Sequence, residues 1–378
     1  AMEVIKEIIA LRDRIREQGD LVKISALEEF GPKYVQAIGY EKKSKQYEGD
    51  PISVLLVQLD SDDQAALDAS ASDVVDIAAR REGVDVFAAA DAREAEHFWE
   101  DRHKLSAIAK RTSGFKINED IVIPTDVIPE FSDFLEGLNL HYMAVAYRSA
   151  LRRVTDLGPV DPADPFIEGE FAFIKDVLRG AVKASELSDQ ELEVQATYFF
   201  HDLRSRYPAE REALERIQAE MSATRIVIAN HMHAGDGNCH VNFPVNSNDP
   251  VMLGLVHEAV DKVFEKVTAL GGAVSGEHGI GITKIGHLPE ARIQELREYK
   301  KRVDPQGIIN PGKLVSRELT VEPPALGRAD LHPLRQVQAG LPHVPSARGL
   351  HVPSAQQEHR AGRAHRGHPL LPAALGQA

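Results

Sequence analysis

"TRIVIANHMHAGDGNCHVNFPVN", residues 224–246, contains two strand-like apolar runs on either side of the short polar segment "HAGDGN". That segment combines an acid, an amide and two glycines, Gly235 and Gly237, which are residue types that favour tight turns. We expect both glycines to adopt positive φ, a conformation that glycine reaches without steric cost. The stretch therefore predicts a β-hairpin.

The predicted hairpin brings histidines together at its mouth. Side chains alternate between the two faces of a strand, so His240 and Asn242 share one face while Cys239, the one cysteine of the chain, faces the core. His233 ends the first strand and can lie beside His240. Two neutral imidazoles so placed form part of a metal site that needs a third ligand. The alternative is a plain hairpin whose histidines are ordinary polar strand residues.

A glycine-rich segment further along the chain, "GGAVSGEHGIGITK" at 271–284, offers that third ligand. Glu277 can complete a site of two histidines and one carboxylate, which leaves metal positions open for substrate. The neighbouring His278 can act as a general base, because the ordinary pKa of a histidine lies near neutrality. Gly276 and Gly279 permit close approach of a flat ligand or another backbone. The alternative is a glycine-rich bend with a solvated Glu-His pair.

A carboxylate clamp is the third candidate site, within "FWEDRHKLSAIAKRTSGFKINEDIVIP" at 98–124. Arg102 and Ser106 lie one turn apart on a predicted helix, and Lys116 precedes a predicted strand. An arginine with a hydroxyl neighbour can bind a substrate carboxylate. The alternative is a solvated helix face, which is the commoner place for an arginine on an amphipathic helix.

The order of the predicted elements indicates the fold class. A helix and a linker occupy residues 1–50, and a second domain occupies 51–318, with a helical insertion at 125–222. Strands alternate with helices on each side of the insertion. This pattern indicates an α+β fold in which helices cover one face of two antiparallel sheet halves.

A C-terminal tail occupies residues 319–378. From residue 331 onward it lacks lysine, aspartate, isoleucine, threonine, asparagine and all aromatic residues. Because such a segment has little apolar surface to bury, we expect it to be disordered. A second hypothesis is a change of reading frame in the gene, which the nucleotide sequence would decide.

Composition excludes several classes of protein. The chain has 378 residues and a formal net charge of −14, and such a field repels nucleic acid and anionic lipid. One cysteine rules out an internal disulfide and fits a reducing compartment. The longest apolar runs are far shorter than the ~20 residues of a membrane helix. We expect a cytoplasmic protein that does not bind nucleic acid, with peripheral attachment at the inner face of the membrane as the alternative.

Three motifs follow one another along the chain: "HAGDGNCHVN" at 233–242, "SGEHGIGITK" at 275–284 and "DPQGIINPGK" at 304–313. In sequence and order they resemble HxGDGNxHxN, SGEHGIGxxK and DPxGxxNPGK of FAD-linked oxidases in the vanillyl-alcohol-oxidase superfamily. Within that superfamily, the D-lactate, glycolate and D-2-hydroxyglutarate dehydrogenases are the most similar branch. The resemblance extends over residues 20–318.

The resemblance implies ferredoxin-like sheet halves that form a substrate-binding cap, with FAD as the cofactor. It also implies a divalent metal on His233, His240 and Glu277, with zinc as the expected ion and manganese or iron as alternatives. His278 would remove the proton of the substrate hydroxyl, and Asn242 would lie near the substrate.

The clamp is similar to the family's Arg-x-x-x-Thr pattern, with Ser106 in place of threonine. A family lysine aligns with Asn118, and the available Lys116 comes two residues earlier. The resemblance therefore implies substrate contacts from Arg102, Ser106, Lys116 and Asn242. Four further residues are implied to lie at the flavin: Gly276, Gly279, Asn310 and Lys313.

The implied activity is oxidation of D-lactate or a similar D-2-hydroxy acid to the 2-oxo acid, with hydride transfer to flavin. The glycine-rich loops of the family's FAD-binding domain do not occur before residue 271, so we expect that domain to be missing here. Expected partners are that domain, an electron acceptor such as an iron-sulfur module, quinone or cytochrome, and a second copy in a homodimer. Two alternatives stay open: a metal-dependent hydrolase, since "HMHAGD" resembles an HxHxD opening, and a metal-binding fragment without catalysis.

Overall fold

The computed structural model divides into two compact units. One comprises Ala1–Gly279 together with His368–Ala378, and the other comprises Ile280–Gly367. The structure describes residues 1–19, 21–40, 42–47, 51–103, 115–313 and 371–377. The predicted metal ligands belong to the first unit, and the motif at 304–313 belongs to the second.

The first unit is built on one antiparallel sheet. Its strands are β1 Val22–Phe30, β2 Ser53–Ser61, β3 Val84–Ala88, β4 Phe115–Val122, β5 Ala229–His233, β6 Asn238–Val245 and β7 Leu371–Gln377. Their order is β3-β7-β2-β1-β5-β6-β4, and each neighbouring pair is antiparallel. Two pairings, β1 with β5 and β4 with β6, join strands that precede the helical insertion to strands that follow it.

The helices of the described residues are α1 Met2–Gln18, α2 Pro32–Ile38, α3 Gln64–Ala79, α4 Ala92–His103, α5 Ile128–Thr155, α6 Pro165–Leu178, α7 Asp189–Arg206, α8 Arg211–Thr224, α9 Pro250–Ala269 and α10 Glu290–Val303. Within the described ranges, each helix is too short or too polar to cross a bilayer. The long helical stretch predicted in the middle of the chain corresponds to α5 through α8. These four helices enclose a core of their own, with Tyr147, Leu151 and Phe200 fully buried.

Strand register determines which side chains share the face that carries the candidate site. Across β1, β5 and β6, Glu28 lies opposite His233, and His231 lies opposite His240. On β4, Asp120 lies opposite His240. Because directly paired residues point to the same side of a sheet, these polar side chains form one surface, which we call the site face. On the other face of β6, Cys239, Val241 and Phe243 are fully buried.

The α+β class is confirmed. The sequence analysis predicted helices on one face of the sheet, whereas the structure has helices on both faces. On the site face, Tyr34 of α2 packs with Phe30, and Phe98 of α4 packs with Leu56. On the opposite face, the side chains of Leu27 and of Arg12, on α1, both lie against Gly235. Helices α2 and α4 pack on the sheet through apolar side chains such as Tyr34 and Phe98.

Two boundaries differ from the sequence prediction. Residues 22–30, assigned to an N-terminal helix and linker, form the central strand β1, because its backbone pairs with β2 on one side and β5 on the other. At the other end, residues 371–377 pair as β7 with both β2 and β3, so disorder is the wrong prediction for this segment. This is the uncharged end of the tail, and its backbone lies between those of β2 and β3. The tail before it lies outside the described residues.

Candidate metal and substrate site

The three predicted metal ligands lie together at the end of the β5–β6 hairpin. Ligand atoms of His233, His240 and Glu277, which we call the ligand trio, all lie within 4.8 Å of one another. Nε2 of His240 is 3.2 Å from Oε1 of Glu277, and Nε2 of His233 is 3.8 Å from the same oxygen. The His240 side chain is 5% exposed and that of Glu277 is 55% exposed. The trio is therefore anchored in the sheet on its histidine side and open to solvent on its carboxylate side.

The predicted hairpin is present, and one of its two glycines behaves as expected. β5 ends at His233, and Gly237 in the turn has φ of 72°. A Cβ at Gly237 would lie 2.0 Å from the carbonyl oxygen of Ile123, so this position accepts only glycine. Positive φ is the wrong prediction for Gly235. Its carbonyl oxygen instead accepts a hydrogen bond from Nη1 of Arg12, which ties the turn to α1.

Asp120 holds the loop that carries Glu277 and His278. Its Oδ2 accepts backbone N–H hydrogen bonds from Gly276 at 2.9 Å, Glu277 at 3.0 Å and His278 at 2.8 Å. Its Oδ1 accepts another from Nδ2 of Asn238 at 2.6 Å. Burial by itself raises the pKa of Asp120, but these hydrogen bonds outweigh burial and lower the pKa to about 2. The carboxylate therefore stays ionised and fixes the backbone around Glu277.

His278 lies beside the ligand trio. Its ring centroid is 5.2 Å from that of His240, and its Nε2 is 3.6 Å from Oε1 of Glu277. The His278 side chain is 52% exposed. The loop thus presents a proton-accepting nitrogen next to the open side of the trio.

The histidines of the site differ in the direction of their pKa shifts. The hydrogen bond to Glu28 raises the pKa of His233, whereas burial lowers the pKa of His240. The ring of His231 lies between those of Tyr34 and His240, at centroid distances of 4.6 and 4.7 Å. Burial and then the nearby His240 lower the pKa of His231 to about 2. His231 is therefore a neutral packing residue behind His240.

One member of the predicted clamp reaches the site, and Ser106 lies outside the described residues. Nε of Arg102 donates a hydrogen bond to Oε2 of Glu28 at 3.0 Å. The other carboxylate oxygen, Oε1, is 2.8 Å from Nδ1 of His233. Glu28 thus connects the predicted carboxylate clamp to a predicted metal ligand.

Lys116 and Asn242 meet on the site face. Nζ of Lys116 donates a hydrogen bond to Oδ1 of Asn242 at 3.2 Å, and burial lowers the pKa of Lys116. Residues two apart on a strand point to the same side, so Lys116 and Asn118 share the site face. Lys116 comes two residues earlier than the family's lysine, but it therefore still lies on the site face.

The predicted flavin contacts lie in both units. A Cβ at Gly276 would lie 2.0 Å from Nδ2 of Asn238, so internal packing already requires glycine there. Gly279 has φ of 82° with open space where a Cβ would lie, so a flat group can approach the exposed loop at this point. In the second unit, Asn310 has φ of 45°, and its carbonyl oxygen accepts the N–H of Lys313 at 3.1 Å. The role of these four residues at a flavin stays a prediction.

The geometry argues against two other roles for the hairpin. Cys239 is fully buried, and burial raises its pKa well above the ordinary value, which disfavours the reactive thiolate. A hydrolase of the HxHxD type would need Asp236 and His231 as ligands. In the part of the chain that the structure describes, the group that could hold a metal is the ligand trio, which includes neither of them.

Glu28 and Asp120 are the site residues that the sequence analysis did not identify. Each is an acid within a segment that is otherwise strand-like, "KISALEEF" and "EDIVIP". Acids are rare in buried strands unless they are paired, so their presence there was an available signal. The partners of both acids lie more than 70 residues away, and no local pattern identifies them.

Comparison with known proteins gives the family. The model of the family described as FAD linked oxidases, C-terminal domain, matches residues 7–146 and 174–314. The gap between the two matches falls in the helical stretch of α5 and α6, and the matches include the ligand trio, Asp120 and the motif at 304–313.

Three curated relatives align with shorter parts of the chain. Glycolate oxidase subunit GlcD of Escherichia coli (strain K12) is 33% identical over 114 residues, which is 29% of this chain and 22% of the relative. D-2-hydroxyglutarate dehydrogenase of Stutzerimonas stutzeri (strain A1501) is 40% identical over 88 residues, 22% of this chain and 19% of the relative. D-lactate dehydrogenase of Anaerostipes hadrus is 39% identical over 87 residues, 22% of this chain and 18% of the relative.

These alignments span about a fifth of the length of each relative. The family model extends much further, over most of the chain and over both units. The chain therefore belongs to the FAD-linked oxidases and carries the C-terminal domain of that family.

Proposed function

We propose that this chain is the substrate-binding and catalytic cap region of an FAD-dependent 2-hydroxy acid dehydrogenase. The reaction is oxidation of D-lactate or a similar D-2-hydroxy acid to the 2-oxo acid. The observation that carries the proposal is the ligand trio with His278 beside its open side. The names of the relatives support the substrate class, because they specify glycolate, D-2-hydroxyglutarate and D-lactate.

The donor set of the trio suits a divalent metal. Two imidazole nitrogens and one carboxylate oxygen bind zinc readily, and manganese or iron accept the same ligands. Three protein ligands leave positions for the hydroxyl and carboxylate oxygens of a 2-hydroxy acid. A metal held by these residues would supply Lewis-acid stabilisation as the hydroxyl loses its proton.

Arg102 and Lys116 provide positive charge for the substrate carboxylate. Glu28 holds the Nε donor of Arg102, so its two Nη groups are the donors for a carboxylate. Lys116 lies on the site face, where it is hydrogen-bonded to Asn242. Oδ1 of Asn118 is buried without a hydrogen-bond partner among the described residues, and it can accept a hydrogen bond from a ligand.

His278 accepts the hydroxyl proton of the substrate. The loop held by Asp120 places the ring on the solvent side of the trio, so a substrate enters between the metal ligands and the base. Loss of this proton and of a hydride from the α-carbon converts the C–O single bond to a carbonyl. FAD, when bound, would supply the oxidant that takes up this hydride.

Cobalt can report on substrate chelation because its visible absorption depends on its ligands. We expect the spectrum of the cobalt-loaded chain to change at an at least tenfold lower concentration of D-lactate than of propionate, which lacks the hydroxyl group. The same titration with glycolate and D-2-hydroxyglutarate ranks the three hydroxy acids by the concentration at which the spectrum changes. Equal responses to D-lactate and propionate would contradict chelation through the hydroxyl.

Flavin reduction tests the redox proposal. The proposed partners are an FAD-binding domain and an electron acceptor such as an iron-sulfur module, a quinone or a cytochrome. We expect D-lactate to bleach flavin absorption at 450 nm anaerobically when the chain is combined with FAD and that domain. His278→Gln should slow bleaching by about 10²–10⁴-fold while metal content is unchanged. Bleaching at the wild-type rate in the variant would contradict the role of His278 as base.

A further inference from the structure

Glu28 lies between the two halves of the candidate site. Its Oε1 is 2.8 Å from Nδ1 of His233, and its Oε2 accepts the Nε donor of Arg102 at 3.0 Å. We propose that Glu28 is a positioning residue that fixes the metal ligand His233 and the carboxylate-binding Arg102 together. This inference rests on the proposed function, since it assigns Glu28 a task at the same metal and substrate site.

The contact with His233 selects the tautomer that can bind a metal. A carboxylate accepts hydrogen bonds but does not donate them, so Nδ1 of His233 carries the proton. A neutral imidazole then has its lone pair on Nε2, the atom that lies 3.8 Å from Oε1 of Glu277. Carboxylates that hold a metal-binding histidine in this way orient the ring and increase its basicity.

The contact with Arg102 restrains a side chain that would otherwise be flexible. The Arg102 side chain is 24% exposed and that of Glu28 is 9% exposed, so the pair is screened from water. Each partner uses a different oxygen of Glu28, so both contacts form at the same time. One carboxylate thus sets the distance between the metal ligand and the group that binds the substrate carboxylate.

Register supplies a matched control on the same strand. Glu28 lies directly opposite His233, and the next residue, Glu29, points to the other face of the sheet. There Glu29 contacts Ser53 and Asn230 at 3.0 and 3.2 Å. Glu28→Gln and Glu29→Gln make the same chemical change at adjacent positions, and only the first touches the site.

Zinc affinity, measured by competition with a chelator, is the first test. The zinc that wild type binds and the His240→Ala variant does not is assigned to the ligand trio. For this zinc we expect Glu28→Gln to bind about 10–100-fold more weakly than wild type, and Glu29→Gln to bind within twofold of it. Glu28→Asp, which keeps the charge, should fall between wild type and Glu28→Gln. Long-range ¹H–¹⁵N spectra of the metal-free protein should show His233 protonated at Nδ1 in wild type and mixed tautomers in Glu28→Gln.

D-lactate affinity of the zinc-saturated protein is the second test. Glu28→Gln and Arg102→Lys should each weaken binding by about tenfold, and the double variant by far less than the product, because both changes break one contact. Wild-type zinc affinity in Glu28→Gln, or equal losses in Glu28→Gln and Glu29→Gln, would overturn the role of Glu28 and leave the proposed function standing. Full zinc retention in His240→Ala would instead overturn the proposed function and this inference with it.

Discussion

Oδ2 of Asp120 accepts a hydrogen bond from the backbone N–H of His278 at 2.8 Å. The same oxygen accepts the N–H groups of Gly276 and Glu277, so one carboxylate holds three consecutive backbone donors. An aspartate on β4 thereby determines where the proposed base and a proposed metal ligand lie. The arrangement explains how an exposed loop can carry residues that must be placed accurately.

Asp120→Asn tests this anchoring. The neutral amide accepts hydrogen bonds more weakly and directs its own donor at backbone N–H groups, so we expect the free energy of unfolding to fall by about 2–4 kcal/mol. Hydrogen exchange at residues 276–278 should quicken, and zinc affinity should fall at least tenfold. The folded pKa of about 2 lies below the ordinary 3.8, so the stabilisation is present above pH ~4 and is lost as pH falls towards 2.

The matched control for this variant is Asp126→Asn, at an exposed aspartate just beyond the same strand. It should change stability by less than about 0.5 kcal/mol and leave zinc affinity unchanged. Equal zinc affinity in wild type and Asp120→Asn would contradict the anchoring role.

Glu29 gives the fold a pH dependence of its own. Complete burial raises the pKa of its carboxyl group to about 8. The unfolded chain releases this proton near pH 4.5 and the folded chain retains it, so Glu29 lowers stability progressively as pH rises from about 4.5 to 8. We expect Glu29→Gln to become more stable than wild type across that window, by a few kcal/mol at pH 8. Thermal unfolding at several pH values measures this, and parallel pH profiles of the two proteins would contradict it.

Cys239 is predicted to be chemically inert in the folded protein. Because it is fully buried and its pKa is raised, Ellman's reagent should modify it only on unfolding. Cys239→Ala should lower stability by about 1–2 kcal/mol through the cavity it leaves and should not alter zinc affinity. Modification of the folded chain at the rate of the unfolded chain would show that the thiol is accessible.

A buried ion pair attaches the helical stretch to the sheet. Nζ of Lys33, on α2, is 2.7 Å from Oδ1 of Asp189, on α7, and both side chains are about 5% exposed. Asp189→Asn removes this carboxylate partner of the buried Lys33 and also the 3.6 Å contact of Asp189 with Arg225. We therefore expect a loss of about 3–5 kcal/mol in chemical denaturation. Glu220→Gln breaks the exposed pair with Arg153 and should shift the denaturation midpoint far less, because solvent screens this pair. Equal losses of stability in the two variants would show that burial does not make the Lys33–Asp189 pair more important than an exposed pair.

The sequence predicted those features that depend on local pattern. Alternation across residues 224–246 predicted the hairpin and the shared face of His240 and Asn242, because strand periodicity is a property of neighbouring residues. The motifs also predicted that Glu277 lies with the two histidines, and the three side chains are together in the structure. The α+β class followed from the order of strands and helices.

What the sequence did not predict depends on contacts between distant segments. The hydrogen bonds of Glu28 reach helix α4 and strand β5, and those of Asp120 reach the loop at 276–278, all more than 70 residues away. The central position of β1 was missed because its burial alternates only in its first half, while Glu28 and Glu29 are both buried in its second half. Gly276 was interpreted as room for a ligand, whereas the space is filled by Asn238, another residue far away in sequence.

X-ray absorption spectroscopy of the zinc-loaded chain tests the central claim most directly. We predict one zinc more per chain in wild type than in His240→Ala. For that zinc we expect two imidazole ligands and one carboxylate oxygen at about 2.0–2.1 Å, without sulfur. Equal zinc content in the two proteins, or a sulfur ligand at about 2.3 Å, would contradict a metal site formed by His233, His240 and Glu277.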